Sequence, residues 1–130
     1  MPKKILVVED DKEIRETMVK YLAAKGYSVV SAADGKEGIS QLVAQKPDLL
    51  LMDLNMPNMG GLGALDLIKD ARRATFEAFG VSDPLRILIV SSQADADTVQ
   101  RAKELGANGF LAKPFAYEKL AAQIASLLAS

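Results

Sequence analysis

In four places the chain puts chemically capable side chains directly after a short apolar run. Ile5 to Val8 leads into Glu9-Asp10-Asp11, and Leu49 to Met52 leads to Asp53. Ile87 to Val90 leads to Ser91-Ser92, and Gly109 to Ala112 leads to Lys113-Pro114. Each has a plain structural explanation: Asp11 as a helix N-cap, Ser91 as a turn residue, Lys113 as a solvated charge. Together they bring carboxylates, a hydroxyl and an ammonium to one rim. Like charges crowded together cost free energy unless something neutralises them, so the acids call for a cation. Mg²⁺ fits: it takes oxygen ligands, keeps several waters, and needs only two carboxylates and a backbone carbonyl. The first loop has no glycine-rich phosphate cradle, and its acids would repel a dinucleotide. A phosphoryl group can enter if Mg²⁺ and Lys113 screen its charge.

Composition narrows the field. The chain has 130 residues, 49% of them hydrophobic, with no Cys, His or Trp. That length suits one domain, spanning 1–130, with a full core. Without Cys there is no disulfide, thiolate nucleophile or sulfur-ligated metal. Without His there is no Ser-His-Asp triad or histidine-bound zinc, so any metal is a hard cation on oxygen. Lys and Arg total 16 against 17 Asp and Glu, a net charge of -1, which argues against binding nucleic acid by bulk electrostatics. The opening apolar run is too short for a signal-peptide core, and no run approaches a membrane span. A soluble cytoplasmic protein is expected.

The elements that must position these residues alternate. Ile5 to Val8 reads as a strand buried on both faces. A helix from about Lys12 to Lys25 follows, with Ile14, Met18, Tyr21 and Leu22 on one face and Gly26 as its stop. Tyr27 to Ser31 is a second strand. Asp34 and Glu37 make a capping box for a helix carrying Ile39, Leu42 and Val43, which Pro47 breaks. Leu49 to Met52, Ile87 to Val90 and Gly109 to Ala112 are the remaining strands. Helices are expected from Leu62 to Phe79, Thr98 to Leu105 and Phe115 to Leu128. Five strand–helix pairs mean an α/β fold, a parallel sheet with helices on both faces and right-handed crossovers. Ligands of such sheets sit at the carboxyl ends of the strands, where the candidate residues fall.

The chain resembles a receiver domain of two-component response regulators, the CheY-like family. The likeness rests on Val7-Val8-Glu9-Asp10-Asp11, on Leu51-Met52-Asp53-Leu54-Asn55-Met56-Pro57 with Gly61 after it, on Ile89-Val90-Ser91-Ser92 and on Lys113-Pro114-Phe115. It implies a three-layer (βα)5 flavodoxin-like, doubly wound fold. It implies Asp53 as phospho-acceptor, with Asp10 a direct Mg²⁺ ligand, Glu9 acting through water and Asn55 offering its backbone carbonyl. Ser91 matches the switch hydroxyl, Phe110 the switch aromatic, and Lys113 the lysine that pairs first with the acceptor and then with its phosphoryl oxygens. Asn55 and Gln93 occupy the positions that influence phosphoryl lifetime. Pro114 often follows that lysine through a cis bond in the family. The implied donor is a histidine kinase or phosphotransfer protein, or a small phosphodonor. The implied output face is the fourth helix, fifth strand and fifth helix, with Arg101, Lys103, Glu104, Tyr117 and Lys119 available to a downstream protein. Neither membrane nor nucleic acid is an expected partner, and the oligomeric state is left open.

The match departs between Asp53 and Ser91, which is longer than a minimal receiver by about eight residues, roughly two helical turns. The surplus predicts an extended third helix and a loop near 70–84, with Lys69, Arg72 and Arg73 as a basic cluster and Phe76 and Phe79 tucked inside or docking a partner. Two other functions are weighed against the switch. A haloacid-dehalogenase-type phosphatase needs an Asp where Asn55 stands. A phosphate-independent scaffold has no need of the crowded acids. The start and end of the sequence favour a stand-alone receiver over the receiver portion of a larger regulator.

Overall fold

The computed structural model describes residues 2–54, 66, 69–70, 73, 85–92 and 95–129. Its strands are β1 (Lys4–Val8), β2 (Ser28–Ala32), β3 (Leu49–Asp53), β4 (Arg86–Ser91) and β5 (Gly109–Ala112). Among the described residues its helices are α1 (Lys12–Ala24), α2 (Gly35–Gln45), α3 (Ala96–Glu104) and α4 (Tyr117–Ala129). The strands form one parallel sheet in the order β2-β1-β3-β4-β5. This is the flavodoxin-like, doubly wound order, with the winding reversing beside β1. The helices expected as fourth and fifth are α3 and α4 here. The expected third helix, its extension and the loop near 70–84 lie mostly outside the described residues. Asp66, Lys69, Asp70 and Arg73 are helical, and Arg73 pairs with Asp70 at 3.0 Å on the surface.

Strand pleating sorts the core into two layers. Ile5, Val7, Leu49, Leu51, Leu88, Val90 and Leu111 lie under Met18 and Leu22 of α1 and Leu120 and Ile124 of α4. Their neighbours in sequence, Leu6, Val8, Leu50, Met52, Ile87 and Ile89, face Leu42 of α2 and Ala102 of α3. Burying each such aliphatic side chain contributes about 1.5–3 kcal/mol, which is why the strands read as unbroken apolar runs. The expected helix faces are narrower than the sequence suggests. Met18 and Leu22 are buried, but Ile14 and Val43 are exposed. Both lie at the margin of an apolar stripe, where the small sheet no longer reaches.

The helices start where side chains satisfy their first N–H groups. Asp11 accepts from the Ile14 N–H at 3.0 Å, Asp34 from Glu37 at 2.8 Å and Asp95 from Thr98 at 3.1 Å. The Thr98 hydroxyl and N–H hold the Asp95 carboxyl below the ordinary range. The Glu37 side chain returns to the N–H of Ala33 at 3.1 Å, one residue before the N-cap. Gly26 ends the α1 connection with φ +97, and α2 ends at Lys46 in the left-handed region.

Gly38 shows how tightly α2 sits on β1. A Cβ there would meet Val8 Cγ2 at 3.0 Å. Gly to Ala inside a helix ordinarily gains about 1 kcal/mol, but the branched, buried Val8 cannot swing aside. Gly38→Ala is therefore expected to lose about 1–2 kcal/mol net through overpacking. Urea denaturation checks it, and a gain in stability would show that the α2–β1 contact is slack.

Candidate functional site

The strand ends meet at one edge. Val8 is level with Ala32 and Met52, Asp53 with Val90, and Ser91 with Ala112. The ladder continues one step further through Glu9 N–H to Ala32 O at 3.1 Å, Leu54 N–H to Val90 O at 2.9 Å and Lys113 N–H to Ser91 O at 2.9 Å. By the two-residue period, Glu9 is in phase with Val7, Asp53 with Leu51 and Lys113 with Leu111, all on the α1–α4 side of the sheet. Ser91 is in phase with Ile87 and Ile89 on the other side.

Those three phased residues form the centre of the site. Asp53 is only 4% exposed, and its Oδ2 accepts a hydrogen bond from the Lys113 ammonium. Lys113 is more open, with 25% of its side chain exposed. Glu9 is 2% exposed; its Oε1 accepts from the Asp11 N–H at 3.1 Å, whereas its Oε2 is buried with no hydrogen-bond partner among the described residues. The carboxyl is accordingly pushed up to about 8, by burial first and then by the Asp53 carboxyl beside it. The Asp11 N–H opposes that rise, and Asp10 adds a smaller push in the same direction. As an acid, Glu9 can share a proton with its carboxyl neighbours; as a carboxylate, it lacks a donor or cation at Oε2.

Glu9, Asp10 and Asp53 are thus neighbours, an all-oxygen set suited to a hard divalent cation. Among the described residues no three acidic side chains stand as a ready-made metal cage. An open set of this kind suits an ion that retains waters, as Mg²⁺ does. Asp11 takes no part in it, since its carboxyl caps α1. Asn55 and Gln93 lie outside the described residues.

The remaining candidates are placed as follows. Ser91 is fully buried at the end of β4. Phe110, level with Ile89, is half-buried against the α2–α3 layer. The Lys113–Pro114 bond is cis. Arg101, Lys103, Glu104 and Lys119 are exposed. Tyr117 does not join them on an output face. Its ring lies 4.9 Å from that of Tyr21 on α1 and 5.7 Å from that of Phe115, so aromatic contact turns it toward α1. Burial, and secondarily the Glu9 carboxylate, raise the Tyr117 phenol above its usual range. Lys25 sits 5.4 Å over the Tyr21 ring. Tyr117 and Lys113 help line a mainly apolar cleft of about 390 Å³, with Ile14, Met18, Ser92, Pro114 and Phe115 in its wall.

One residue at this edge escapes the motif reading. Arg15 Nη1 donates to the carbonyl of Glu9 at 2.8 Å and to that of Asp10 at 3.4 Å. The sequence does hold a signal for it. Helix side chains lean toward the N-terminus, so a long cation in the first turn after an acidic loop leans back over that loop.

Comparisons with known proteins agree with this fold. The family model described as the response regulator receiver domain matches residues 5–125. The response regulator MprA of Mycobacterium tuberculosis is 34% identical over 128 residues, which cover 98% of this chain and 51% of that protein. The chain therefore spans about half the length of the curated relatives it matches. Among solved structures, the chemotaxis protein CheY4 of Vibrio cholerae superposes with a TM-score of 0.84 at 29% identity, covering 98% of this chain and 99% of that one. A response regulator of Burkholderia pseudomallei, solved with a phosphorylated aspartic acid, a calcium ion and citrate, superposes at 0.78 with 28% identity, covering 92% of this chain and 65% of that one. With the sheet order, the strand-end acids and the matched span in agreement, the chain belongs to the response regulator receiver domain family.

Proposed function

We propose that this protein is a phosphorylation-dependent switch in which Asp53 accepts a phosphoryl group. The observation that carries this reading is a nearly buried Asp53 carboxylate, held by Lys113 and flanked by the unsatisfied Glu9 carboxyl. Receiver domains work as signalling switches rather than as turnover enzymes. A carboxylate nucleophile needs no general base. One of its oxygens forms the new P–O bond while the donor's P–N bond breaks. The electron pair stays on the departing imidazole nitrogen, which takes a proton. With acetyl phosphate a P–O bond breaks instead and acetate departs.

Glu9, Asp10, Asp53 and the backbone carbonyl of Asn55 would hold Mg²⁺, which when bound neutralises charge gathered on the phosphoryl oxygens. The orphaned Glu9 Oε2 supports that assignment. Lys113 steadies the transferring group from the opposite strand, and the Ser91 hydroxyl receives a phosphoryl oxygen. The product adds negative charge and acceptor oxygens at the sheet edge. Ser91 and Phe110 then carry the change to α3, β5 and α4, where exposed Arg101, Lys103 and Glu104 meet a downstream protein. Asn55 and Gln93 tune the acyl-phosphate lifetime. The donor is a histidine kinase or phosphotransfer protein of the cytoplasm. No helix among the described residues is long and apolar enough to cross a membrane, and the -1 net charge does not favour direct nucleic-acid binding.

The test is incubation with Mg²⁺ and acetyl phosphate or phosphoramidate, read by intact-mass spectrometry. The expected result is a gain of one phosphoryl group that disappears with chelator and in Asp53→Asn. No gain with any donor would mark a phosphate-independent scaffold. Sustained turnover of a phosphate monoester would mark a phosphatase.

A further inference from the structure

We propose that Arg15 is a positioning residue for the acidic pair, bracing the backbone that carries Glu9 and Asp10. The need for a brace follows from where β1 stops. Val8 is the last residue of β1 in register with its neighbours. Beyond it, the Glu9 N–H still reaches Ala32 O, but no backbone N–H among the described residues donates to the carbonyls of Glu9 and Asp10. Here the chain turns into α1 while Glu9 stays buried at the sheet edge.

Arg15 ties that turn down from within α1. A single terminal nitrogen carries two protons, and Nη1 reaches both carbonyls, at 2.8 and 3.4 Å. The bond to the Glu9 carbonyl is charge-assisted, about twice as strong as a neutral one, and the longer contact to Asp10 adds less. The root of the side chain is fixed as well. The Arg15 N–H donates to Asp11 O at 2.9 Å, and the Asp11 carboxyl caps the same helix turn. The turn therefore hangs between a sheet bond at Glu9 N–H and a guanidinium at its two carbonyls. Arg15 touches neither the acceptor nor any ligand; it acts through the main chain of the residues that do.

The inference rests on the reading of Glu9 and Asp10 as metal-holding residues. Outer residues that orient metal ligands typically change affinity by about 10- to 100-fold when lost. Arg15→Ala is therefore expected to weaken Mg²⁺ binding about 10-fold, measured by calorimetry on the full chain. Arg15→Lys restores part of that loss, since an ammonium also carries several donors but lacks the reach of the guanidinium. Thermal unfolding in chelator gives the purely structural contribution. A lower melting temperature with unchanged Mg²⁺ affinity overturns the proposal. If Arg15→Ala does not fold, Arg15→Lys decides: weaker Mg²⁺ binding supports the brace, and wild-type affinity overturns it. A wild-type chain that binds no Mg²⁺ overturns this proposal together with the reading beneath it, whereas binding by the wild type and Arg15→Ala alike overturns this proposal alone.

Discussion

Replacing Lys113 with Met is expected to slow phosphorylation of Asp53 by acetyl phosphate about 100-fold at saturating Mg²⁺. The estimate is that for removing one preorganised charge partner of a developing anion. Lys113 is the ammonium that meets Asp53 across the strand ends, and Met keeps most of its volume while removing the charge. The same change should cost stability. Removing one partner of a fully buried ion pair costs about 3–5 kcal/mol. Lys113 is a quarter exposed, so solvent screening reduces the expected loss to about 1–3 kcal/mol. Single-turnover mass spectrometry and urea denaturation separate the two effects. Lys113→Arg should recover stability better than rate, because a planar fork cannot occupy the place of a compact ammonium. A Lys113→Met protein phosphorylated at the wild-type rate would remove Lys113 from the reaction.

Glu9→Gln is expected to stabilise the metal-free protein at alkaline pH and to leave it unchanged near pH 4.5. The folded-state carboxyl sits at about 8 against an ordinary value of 4.5. Between those values the native state binds more protons at this site than the unfolded chain does. The favourable contribution of the protonated form is therefore fully present below about 4.5 and is lost as pH rises through about 8. Above that range the wild type carries a buried carboxylate whose Oε2 has no partner. Gln keeps the shape and the acceptor facing the Asp11 N–H, and its amide can donate to a neighbouring carboxylate. Relieving a buried unsatisfied group is worth about 1–3 kcal/mol. Melting curves in chelator from pH 5 to pH 9 should therefore diverge, with Glu9→Gln the more stable at the alkaline end. Added Mg²⁺ should close the gap by stabilising the wild type. Parallel curves would show that Glu9 holds no proton in the native state. A residue whose removal stabilises the resting fold is expected where like charges are held together for function.

The acids, the hydroxyl and the lysine were legible in the sequence because the signals that place them are local. A run such as Leu49 to Met52 declares a doubly buried strand, and the residue after it must emerge at the carboxyl edge. Alternation of strands and helices then forces every such edge to the same side. Even the phase of Glu9, Asp53 and Lys113 follows from counting by two along three separate strands. Asp34 declared a helix start in the same local way, whereas the Asp95 cap three residues before Thr98 came from the structure.

What the tertiary structure alone decided depends on neighbours far away in the chain. Of the acids in Glu9-Asp10-Asp11, the sequence named Asp11 as the cap of α1, but it cannot say that Glu9 is the one buried without a full set of partners among the described residues. That depends on where β1 ends relative to β2 and β3. Ile14 and Val43 carry the right spacing for the core but stand outside it, because a helix stripe is wider than the sheet it covers. Tyr117 was expected on an output face and instead lies on Tyr21, since ring contact across the α1–α4 seam outweighs its position on the helix. Arg15 had no motif at all. Its contacts emerge only once the turn brings the carbonyls of Glu9 and Asp10 under its guanidinium. Local chain chemistry determined which groups reach the edge of this sheet; long-range packing decided which are buried, which are paired and which hold the others in place.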